Sequence, residues 1–121
     1  MKLKHIRQSF AVCKLEKPSP FSFHGDFVFL AQTEDEISLV CRSDHIPENV
    51  LACEDGWEIL KIEGSLDFSL TGIIAGISSV LSERQIPVFV VSTFNTDYIL
   101  VKAVVMKEAI QALEENGYSV V

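Results

Sequence analysis

The fold of this chain is decided by the stretch Val88-Phe-Val-Val-Ser-Thr-Phe-Asn-Thr-Asp-Tyr-Ile-Leu-Val101. Val88–Val91 is a continuous apolar run, which is typical of a strand that is buried on both faces or against a helix layer. Tyr98–Val101 is again rich in aromatic and β-branched residues. Because only the short polar link Ser92–Asp97 separates the two runs, the stretch predicts a β-hairpin.

The residues before the hairpin predict a strand and then a helix. Trp57–Glu63 alternates apolar and polar residues at several positions and ends at Gly64, which predicts a strand. Apolar residues then recur three and four positions apart, which predicts a helix of about four turns with capping residues at Asp67 and Ser69. The apolar stripe consists of Leu70, Ile73, Ile74, Ile77, Val80 and Leu81. The small residues Gly72, Ala75 and Gly76 would let another element approach this helix closely.

The residues after the hairpin complete a βαββαβ order. A second helical stripe contains Met106, Ala109, Ile110 and Leu113. Asn116-Gly117 is a helix stop, because glycine takes the left-handed conformation without strain. Tyr118–Val121 then predicts a short final strand. This order is the ferredoxin-like pattern, so we expect an α+β fold.

The first half of the chain resembles the second half in shortened form. Phe10–Glu16 matches Trp57–Glu63 in residue type, and Val28–Val40 matches Phe89–Val101. Internal similarity of this kind indicates a duplicated unit, although any two apolar hairpins share some of these features. We predict a tandem repeat, with a truncated N-terminal half over residues 1–56 and a complete domain over residues 57–121.

The truncation follows from the residues between the strands of the first half. Lys17–Asp26 contains two prolines and a glycine, which exclude a regular helix there. The second helix of this half is reduced to the short Pro47–Cys53, with Pro47 at a tolerated first-turn position.

Composition and charge exclude several classes of protein. The net charge is −7, from 17 acidic and 10 basic residues. Without a basic cluster we expect no nucleic acid among the partners, since phosphate neutralisation supplies most of that affinity. No run approaches the roughly 18 apolar residues of a membrane span, and no signal-peptide-like stretch starts the chain. Cys13, Cys41 and Cys53 form no CxxC pair, and Cys13 and Cys41 lie in apolar runs as small hydrophobes, so we expect a reducing, cytoplasmic location.

Two segments carry a resemblance to a known family. They are Leu66-Asp-Phe-Ser-Leu-Thr-Gly-Ile-Ile-Ala75 and Ile86-Pro-Val-Phe-Val-Val-Ser-Thr-Phe-Asn-Thr-Asp-Tyr-Ile-Leu-Val-Lys102. With them the chain resembles the ACT-domain family, and within it the tandem-ACT proteins similar to the CASTOR-type amino-acid sensors. The resemblance implies a ferredoxin-like regulatory module that binds a small molecule, usually an amino acid, between paired domains, and it gives no reason to expect catalysis or a cofactor.

The resemblance also implies a ligand site. Residues at the start of the first helix of this domain and in the hairpin link match positions that hold the ligand in these relatives. The candidate ligand-binding residues are Asp67, Thr71, Gly72, Ile73, Thr93, Phe94, Asn95 and Asp97. The arginine sensors carry an acidic residue directly before the Thr-Gly pair, where this chain has Leu70. An apolar or small amino acid, or a ligand of another class, is therefore as compatible as arginine.

Physical chemistry favours a carboxylate near the start of this helix. The first N–H groups of a helix have no partner within it, and the helix dipole places positive charge there. The alternative is that Gly72 only caps the helix or packs closely. Asp97 could accept hydrogen bonds from an ammonium group, or simply start a strand after a turn. In the first half, Glu36 aligns with Asp97 and Thr33 with Phe94, so that half would have kept the acid and lost the aromatic.

The sequence contains no pattern that predicts an enzyme or a metal centre. His5, His24 and His45 have no ligand-like spacing to other histidines or cysteines, and we interpret them as surface loop residues. No nucleophile elbow, phosphate loop or dinucleotide fingerprint occurs. A homodimer is expected, since symmetric dimers are the commonest soluble oligomers. The alternative to an amino-acid sensor is a module that pairs by its sheet edges and binds no metabolite.

Overall fold

The computed structural model describes residues 1–19, 22, 25–64 and 71–121. Within these residues the chain forms seven strands, two α-helices and one short 3-10 helix, Ser43–His45. The elements in chain order are β1 (Lys2–Leu15), β2 (Phe29–Gln32), β3 (Ile37–Arg42), β4 (Val50–Ile62), α1 (Ile73–Glu83), β5 (Phe89–Ser92), β6 (Asp97–Lys102), α2 (Ala103–Glu115) and β7 (Ser119–Val120).

The chain divides into two compact units. The C-terminal unit consists of Met1–Arg7 and Glu58–Val121, and the N-terminal unit consists of Gln8–Trp57. The long strands β1 and β4 each contribute residues to both units. The division into domains at residues 1–56 and 57–121 stays a prediction, and the C-terminal unit differs from the second of these ranges by including Met1–Arg7.

The C-terminal unit has the expected order β4-α1-β5-β6-α2-β7, with the strands arranged β5-β6-β4-β1 and β7 beside β1. The predicted hairpin is present, with Ser92 opposite Asp97 and Phe89 opposite Leu100 in antiparallel register. The start of β1 pairs with β7 in parallel, with Lys2 opposite Ser119. The unit therefore has a mixed, mostly antiparallel sheet that fits a ferredoxin-like fold, but the first strand of the chain lies between β4 and β7.

Both predicted helical stripes pack onto this sheet. Ile77 and Leu81 of α1 and Met106, Ala109 and Leu113 of α2 are buried in one cluster. The sheet contributes Leu3, Leu60, Ile62, Ile99 and Val101 to the same cluster. Fully burying a side chain such as Leu contributes roughly 1.5–3 kcal/mol. Because Leu3 is fully buried, the first strand of the chain is part of the core of the C-terminal unit.

One of the small residues of α1 has the predicted packing role. A Cβ atom placed on Gly76 would lie 2.9 Å from the hydroxyl oxygen of Tyr118, so a larger residue there would displace the tyrosine. Gly72 differs, because a Cβ on it would meet nothing within 4 Å. Its φ of +78° is the feature that requires glycine. The close-packing explanation for Gly72 is therefore wrong.

The N-terminal unit has the strand order β2-β3-β1-β4. Strands β1 and β3 are antiparallel, with Ala11 opposite Cys41 and Cys13 opposite Leu39. Their inward-facing side chains form a second apolar cluster of Ala11, Cys13, Leu15, Ile37, Leu39 and Cys41. The prediction that Lys17–Asp26 forms no regular helix includes residues 20, 21, 23 and 24, which lie outside the described residues.

The short helix predicted over Pro47–Cys53 is wrong, because β4 begins at Val50. The N–H of Glu16 donates to the carbonyl of Asn49 at 3.0 Å, so the backbone next to Val50 is already paired with the end of β1. A helix of seven residues has little stability of its own, and the neighbouring strand offers partners to every other backbone group. Glycine at position 56 has a φ of +84°, which in a strand accompanies a bulge.

The two helices end with the same hydrogen bonds but with different residues in the left-handed position. After α2, Gly117 has a φ of +93° and the N–H of Tyr118 donates to the carbonyl of Leu113 at 3.1 Å. After α1, Gln85 has a φ of +58° and the N–H of Ile86 donates to the carbonyl of Leu81 at 3.0 Å. The glycine stop predicted after α2 is confirmed, whereas α1 holds a side chain in the same strained conformation.

We expect Gln85→Gly to stabilise the protein by about 1 kcal/mol, because it removes the steric cost of the left-handed conformation at an exposed residue. Gly117→Ala is the matched control and should destabilise it by about 1 kcal/mol for the opposite reason. Urea unfolding of both variants and the wild type measures these changes. Loss of stability in Gln85→Gly would contradict the proposed strain.

Candidate functional site

The candidate residues at the helix start form an open N-terminus. Thr71 and Gly72 are exposed, and Ile73, which is half-buried, is the first residue of α1. The first helical hydrogen bond runs from the N–H of Gly76 to the carbonyl of Gly72 at 2.9 Å. No described side chain caps this end, so the N–H groups before Gly76 are not used by the helix. Asp67, Ser69 and Leu70 lie outside the described residues.

The candidate residues of the hairpin are held by threonine side chains. The N–H of Thr93 donates to the carbonyl of Thr96 at 2.9 Å, and its hydroxyl donates to the same carbonyl at 3.0 Å. Thr96 is only 4% exposed, and its hydroxyl donates to the carbonyl of Ile62 at 2.8 Å. Since Ile62 is the last residue of β4, this bond anchors the turn of the hairpin to the end of β4.

This anchor brings the hairpin to the edge of the sheet from which the chain leaves for α1. The start of β6 lies against the end of β4, so these neighbouring strands run in opposite directions. Strand β5 is antiparallel to β6 and therefore runs the same way as β4. A helix that connects two strands of the same direction begins at the edge where the first strand ends. Gly72 and the hairpin turn thus belong to the same edge.

The side chains of the hairpin differ in their exposure. Phe94 is 80% exposed, and Thr93 and Asn95 are also exposed at the turn. Asp97 is half-buried as the first residue of β6, opposite Ser92. Most of the Phe94 side chain is accessible at this edge of the sheet. It is a large aromatic side chain that a ligand or a partner could cover.

The correspondence between the two hairpins is shifted by one residue from the sequence alignment. Gln32 lies opposite Ile37 in the N-terminal hairpin, as Ser92 lies opposite Asp97 in the C-terminal hairpin. Ile37 is therefore the counterpart of Asp97, and the counterpart of Phe94 is Glu34. The prediction that Glu36 and Thr33 occupy these positions is wrong. A one-residue slip exchanges the two faces of a strand, and Ile37 is buried because it points into the core.

A groove of about 560 Å³ lies between α2 and the sheet of the C-terminal unit. Its sheet side is lined by His5, Arg7 and Glu58, and its helix side carries side chains of both charges and an apolar strip. The helix residues are Ala103, Met106, Lys107, Ile110, Gln111 and Glu114. Its size is in the range of small-molecule sites, and none of its residues was among the candidates from the sequence.

His5 lies in the wall of this groove, and its interpretation as a surface loop residue was wrong. Its side chain is 9% exposed, and its Nε2 atom is 2.8 Å from Oε1 of Glu58. Its Nδ1 atom is buried and has no hydrogen-bond partner among the described residues. Strand alternation places His5 on the same face as the buried Leu3, which is the signal that could have identified it. His45 is exposed in the 3-10 helix, and His24 lies outside the described residues.

The three cysteines lie close together in the N-terminal unit, which their sequence spacing did not indicate. The Sγ atoms of Cys13 and Cys53 are 3.7 Å apart. Cys13 and Cys41 are buried, as predicted for small hydrophobes, whereas Cys53 is exposed. Burial raises the pKa of both Cys13 and Cys41 above the usual thiol value. Among the described residues, no group of three or more His, Cys, Asp or Glu side chains is arranged to hold a metal ion.

The anchor of the hairpin can be tested by mutation. We expect Thr96→Val to destabilise the protein by about 2 kcal/mol, because the buried carbonyl of Ile62 loses its donor. Thr96→Ser keeps the hydroxyl and should lose clearly less, which makes it the matched control. Thermal unfolding compares the two. Equal losses in both variants would mean that the methyl group of Thr96, and not its hydrogen bond, holds the turn.

No helix in the described part of the chain has both the length and the apolar character needed to cross a membrane.

This chain is similar to proteins of known structure. A protein from Agobacterium tumefaciens of known crystal structure is 34% identical to this chain, with 99% of this chain and 91% of that one covered and a TM-score of 0.89. The structure of aspartokinase alpha and beta subunits is 12% identical, covers 95% of this chain and 96% of that one, and has a TM-score of 0.64. Aspartate kinase from Clostridium acetobutylicum is 13% identical, covers 89% of this chain and 32% of that one, and has a TM-score of 0.62. The last two likenesses concern the fold alone.

Two family models match the chain. One describes an N-terminal domain and matches residues 8–49, within the N-terminal unit. Because that model describes a separate N-terminal domain, the tandem repeat stays a prediction. The other describes the ACT domain and matches residues 52–115, a little over half of the chain. The chain belongs to the ACT-domain family.

Proposed function

We propose that this protein is a regulatory module that binds an amino acid and has no catalytic activity of its own. ACT domains are generally regulatory ligand-binding modules, and the similar aspartate kinase from Clostridium acetobutylicum is described as an allosteric enzyme. The observation that carries the proposal is the start of α1 at Gly72, which no side chain of the described residues caps, at the sheet edge where Thr96 anchors the hairpin. A cytoplasmic location is part of this proposal.

An amino acid has two charged groups that suit this edge. Its carboxylate would accept hydrogen bonds from the N–H groups at the start of α1 that the helix itself does not use, where the helix dipole favours an anion. Its ammonium group would donate to the carboxylate of Asp97, a charge-assisted bond that is stronger than a neutral one. The hydroxyl of Thr71 can donate or accept in addition, whereas the hydroxyl of Thr93 already donates to the carbonyl of Thr96 and can offer a ligand only an acceptor.

The remaining candidate residues would set the choice of ligand. Phe94 offers an exposed aromatic face for an apolar side chain, and Asn95 offers an amide. Asp67 stays a candidate from the resemblance alone. The missing acid at position 70 removes a partner for a basic side chain, so a small or apolar amino acid is the ligand class that we propose.

The groove beside α2 is a second place where such a ligand could bind. Arg7 and Lys107 carry positive charge there, and Glu58 and Glu114 carry negative charge. A zwitterion would find groups of both signs in it, with the side chain of Ile110 as an apolar surface. An experiment must therefore separate the two places.

We expect one or a few of the twenty amino acids, tested singly at millimolar concentration, to raise the midpoint of thermal unfolding. A ligand at a hundredfold excess over its Kd adds about 2.7 kcal/mol to the stability of the folded state. That corresponds to a shift of several degrees for a domain of this size. Asp97→Asn should remove the shift, whereas Asp35→Asn, the same change in the turn of the N-terminal hairpin, should keep it.

The variants also identify the place of binding. A shift that survives Asp97→Asn but disappears in Arg7→Gln would locate the ligand in the groove and overturn the hairpin site. The absence of any shift with all twenty amino acids would overturn the proposed function and favour a module that binds no metabolite.

Homodimer formation is a second proposal, and the edge of the sheet supports it. ACT domains often dimerise, and β5 ends the strand order of the C-terminal unit. Its residue Val90 is 36% exposed, and an exposed edge strand is a template for pairing with another chain. The proposed dimer forms by antiparallel pairing of β5 with its copy.

We expect sedimentation or light scattering to give twice the chain mass for the wild type. Val90→Lys should shift the equilibrium to the monomer by at least tenfold, because it adds a positive charge to both edge strands of the pair. Ala31→Lys on β2, which ends the strand order of the N-terminal unit, is the matched control and should leave the dimer intact. A wild-type monomer at all concentrations would contradict this proposal.

A further inference from the structure

Cys13 and Cys53 form a pair that the sequence did not predict. Cys13 lies in β1 and Cys53 in β4, which are neighbouring strands of the N-terminal unit. Their Sγ atoms are 3.7 Å apart. A disulfide needs an S–S distance of about 2.05 Å. Rotation of the two side chains about their Cα–Cβ bonds can shorten the distance between the sulfur atoms of adjacent strands, while the backbone sets the separation of the Cβ atoms.

The two thiols differ in their environments. Cys53 is exposed, so a dissolved reagent reaches its sulfur directly. Cys13 is 2% exposed and lies in the apolar cluster of the N-terminal unit. Desolvation and the neighbouring Cys53 raise the pKa of Cys13, so its thiol stays protonated and does not react first. The pair thus consists of one accessible sulfur and one shielded sulfur in contact with it.

We propose that Cys13 and Cys53 are a reversible modification site, oxidised by hydroperoxides to an intramolecular disulfide. The Cys53 thiolate attacks a hydroperoxide, the O–O bond breaks, and Cys53 sulfenic acid and an alcohol (or water, from hydrogen peroxide) form once a proton is taken up. The Cys13 sulfur then displaces hydroxide from the Cys53 sulfur, and the thiol proton of Cys13 leaves with it as water. Two electrons pass from the two thiols to the peroxide.

The exposure of Cys53 also makes the disulfide reducible. A small thiol in thiolate form attacks the accessible Cys53 sulfur and releases the Cys13 thiol, which recovers its proton. A second thiol molecule then attacks the mixed disulfide, which frees Cys53 and leaves the oxidised small thiol. Both directions begin at the sulfur that solvent reaches.

Cys41 is the third thiol of this cluster, and selective oxidation of the pair would leave it reduced, whereas general oxidation would not. It is buried on β3, and its backbone lies opposite Ala11, so it contacts Cys13 from the other side. No reagent reaches it before Cys53, and burial raises the pKa of its thiol. It therefore stays reduced while the pair closes.

The proposal is tested on the whole folded chain with hydrogen peroxide as the probe. We expect the three free thiols of the reduced protein to fall to one. Proteolysis and mass spectrometry without reduction should find Cys13 linked to Cys53, and dithiothreitol should restore all three thiols. Disulfide formation should become faster as the pH rises, because the raised pKa of Cys13 limits the supply of its thiolate.

Single variants provide the controls. Cys41→Ser should still form the disulfide and retain no free thiol. Cys53→Ser, a change at an exposed position, should form none and keep Cys13 and Cys41 reduced. Cys13→Ala should stop at the Cys53 sulfenic acid, which dimedone traps.

Three results would overturn the proposal. They are a disulfide that maps to Cys13 and Cys41, a disulfide between Cys53 residues of two chains on a non-reducing gel, and three thiols that survive a peroxide excess sufficient to oxidise the urea-unfolded chain. The proposal is independent of ligand binding, so it stands or fails apart from the proposed function.

Discussion

The pairing of β1 with β4 is the constraint on which the rest of the structure depends. In the C-terminal unit the N–H of Glu63 donates to the carbonyl of Lys2 at 3.0 Å, which places Leu3 in the core. The same segment of β1 holds β7, since the N–H of Val121 donates to the carbonyl of Leu3 at 2.9 Å. Both His5 with Glu58 and Cys13 with Cys53 are contacts between these strands. The groove and the thiol pair are therefore consequences of one strand pairing.

The candidate ligand site combines a hairpin base that is fixed by a buried hydrogen bond with exposed residues in the turn and before α1. The hydroxyl of Thr96 is buried and satisfied by the carbonyl of Ile62, so the base of the hairpin is held by a bond that water does not weaken. Beside this base, Phe94 and the residues Thr71 and Gly72 before α1 are exposed. A ligand at this place would regulate a partner only if it bound one of two states of the protein more tightly than the other.

The known proteins resemble this chain either in both sequence and fold or in fold alone. The ACT-domain match and the relative from Agobacterium tumefaciens concern sequence and fold together. The aspartokinase structures share the fold at 12–13% identity, so they say how the elements are arranged and not which side chains bind. The residues that choose a ligand lie in short exposed segments, where a fold tolerates many side chains.

The sequence by itself determined the elements of the C-terminal unit. The period of its apolar residues and the Asn116-Gly117 stop are local signals, and the hairpin, α2 and the last strand lie close to where these signals predicted them. Helix α1 is present but shorter than predicted, because it begins at Ile73 with Gly72 as its N-cap and not after the predicted caps Asp67 and Ser69. The ACT character of this unit, and so the expectation of an exposed helix start at Gly72, were also contained in local motifs. The predicted alignment of the N-terminal hairpin with the C-terminal hairpin was wrong by one residue. The burial of Ile37 is set by its pairing with the neighbouring strand and not by the residues of the turn.

Only the tertiary structure decided which distant residues meet. It placed the first strand of the chain between β4 and β7, extended β4 through the segment predicted as a short helix, and brought His5 to Glu58 and Cys13 to Cys53. Each of these depends on backbone hydrogen bonds between segments that are distant in the sequence, such as Glu16 with Asn49 and Met1 with Ser119, and a local pattern does not contain these partners. The backbone N–H and C=O groups at the edge of a strand pair with whichever segment of the chain can satisfy them, so strand pairing depends on the whole chain.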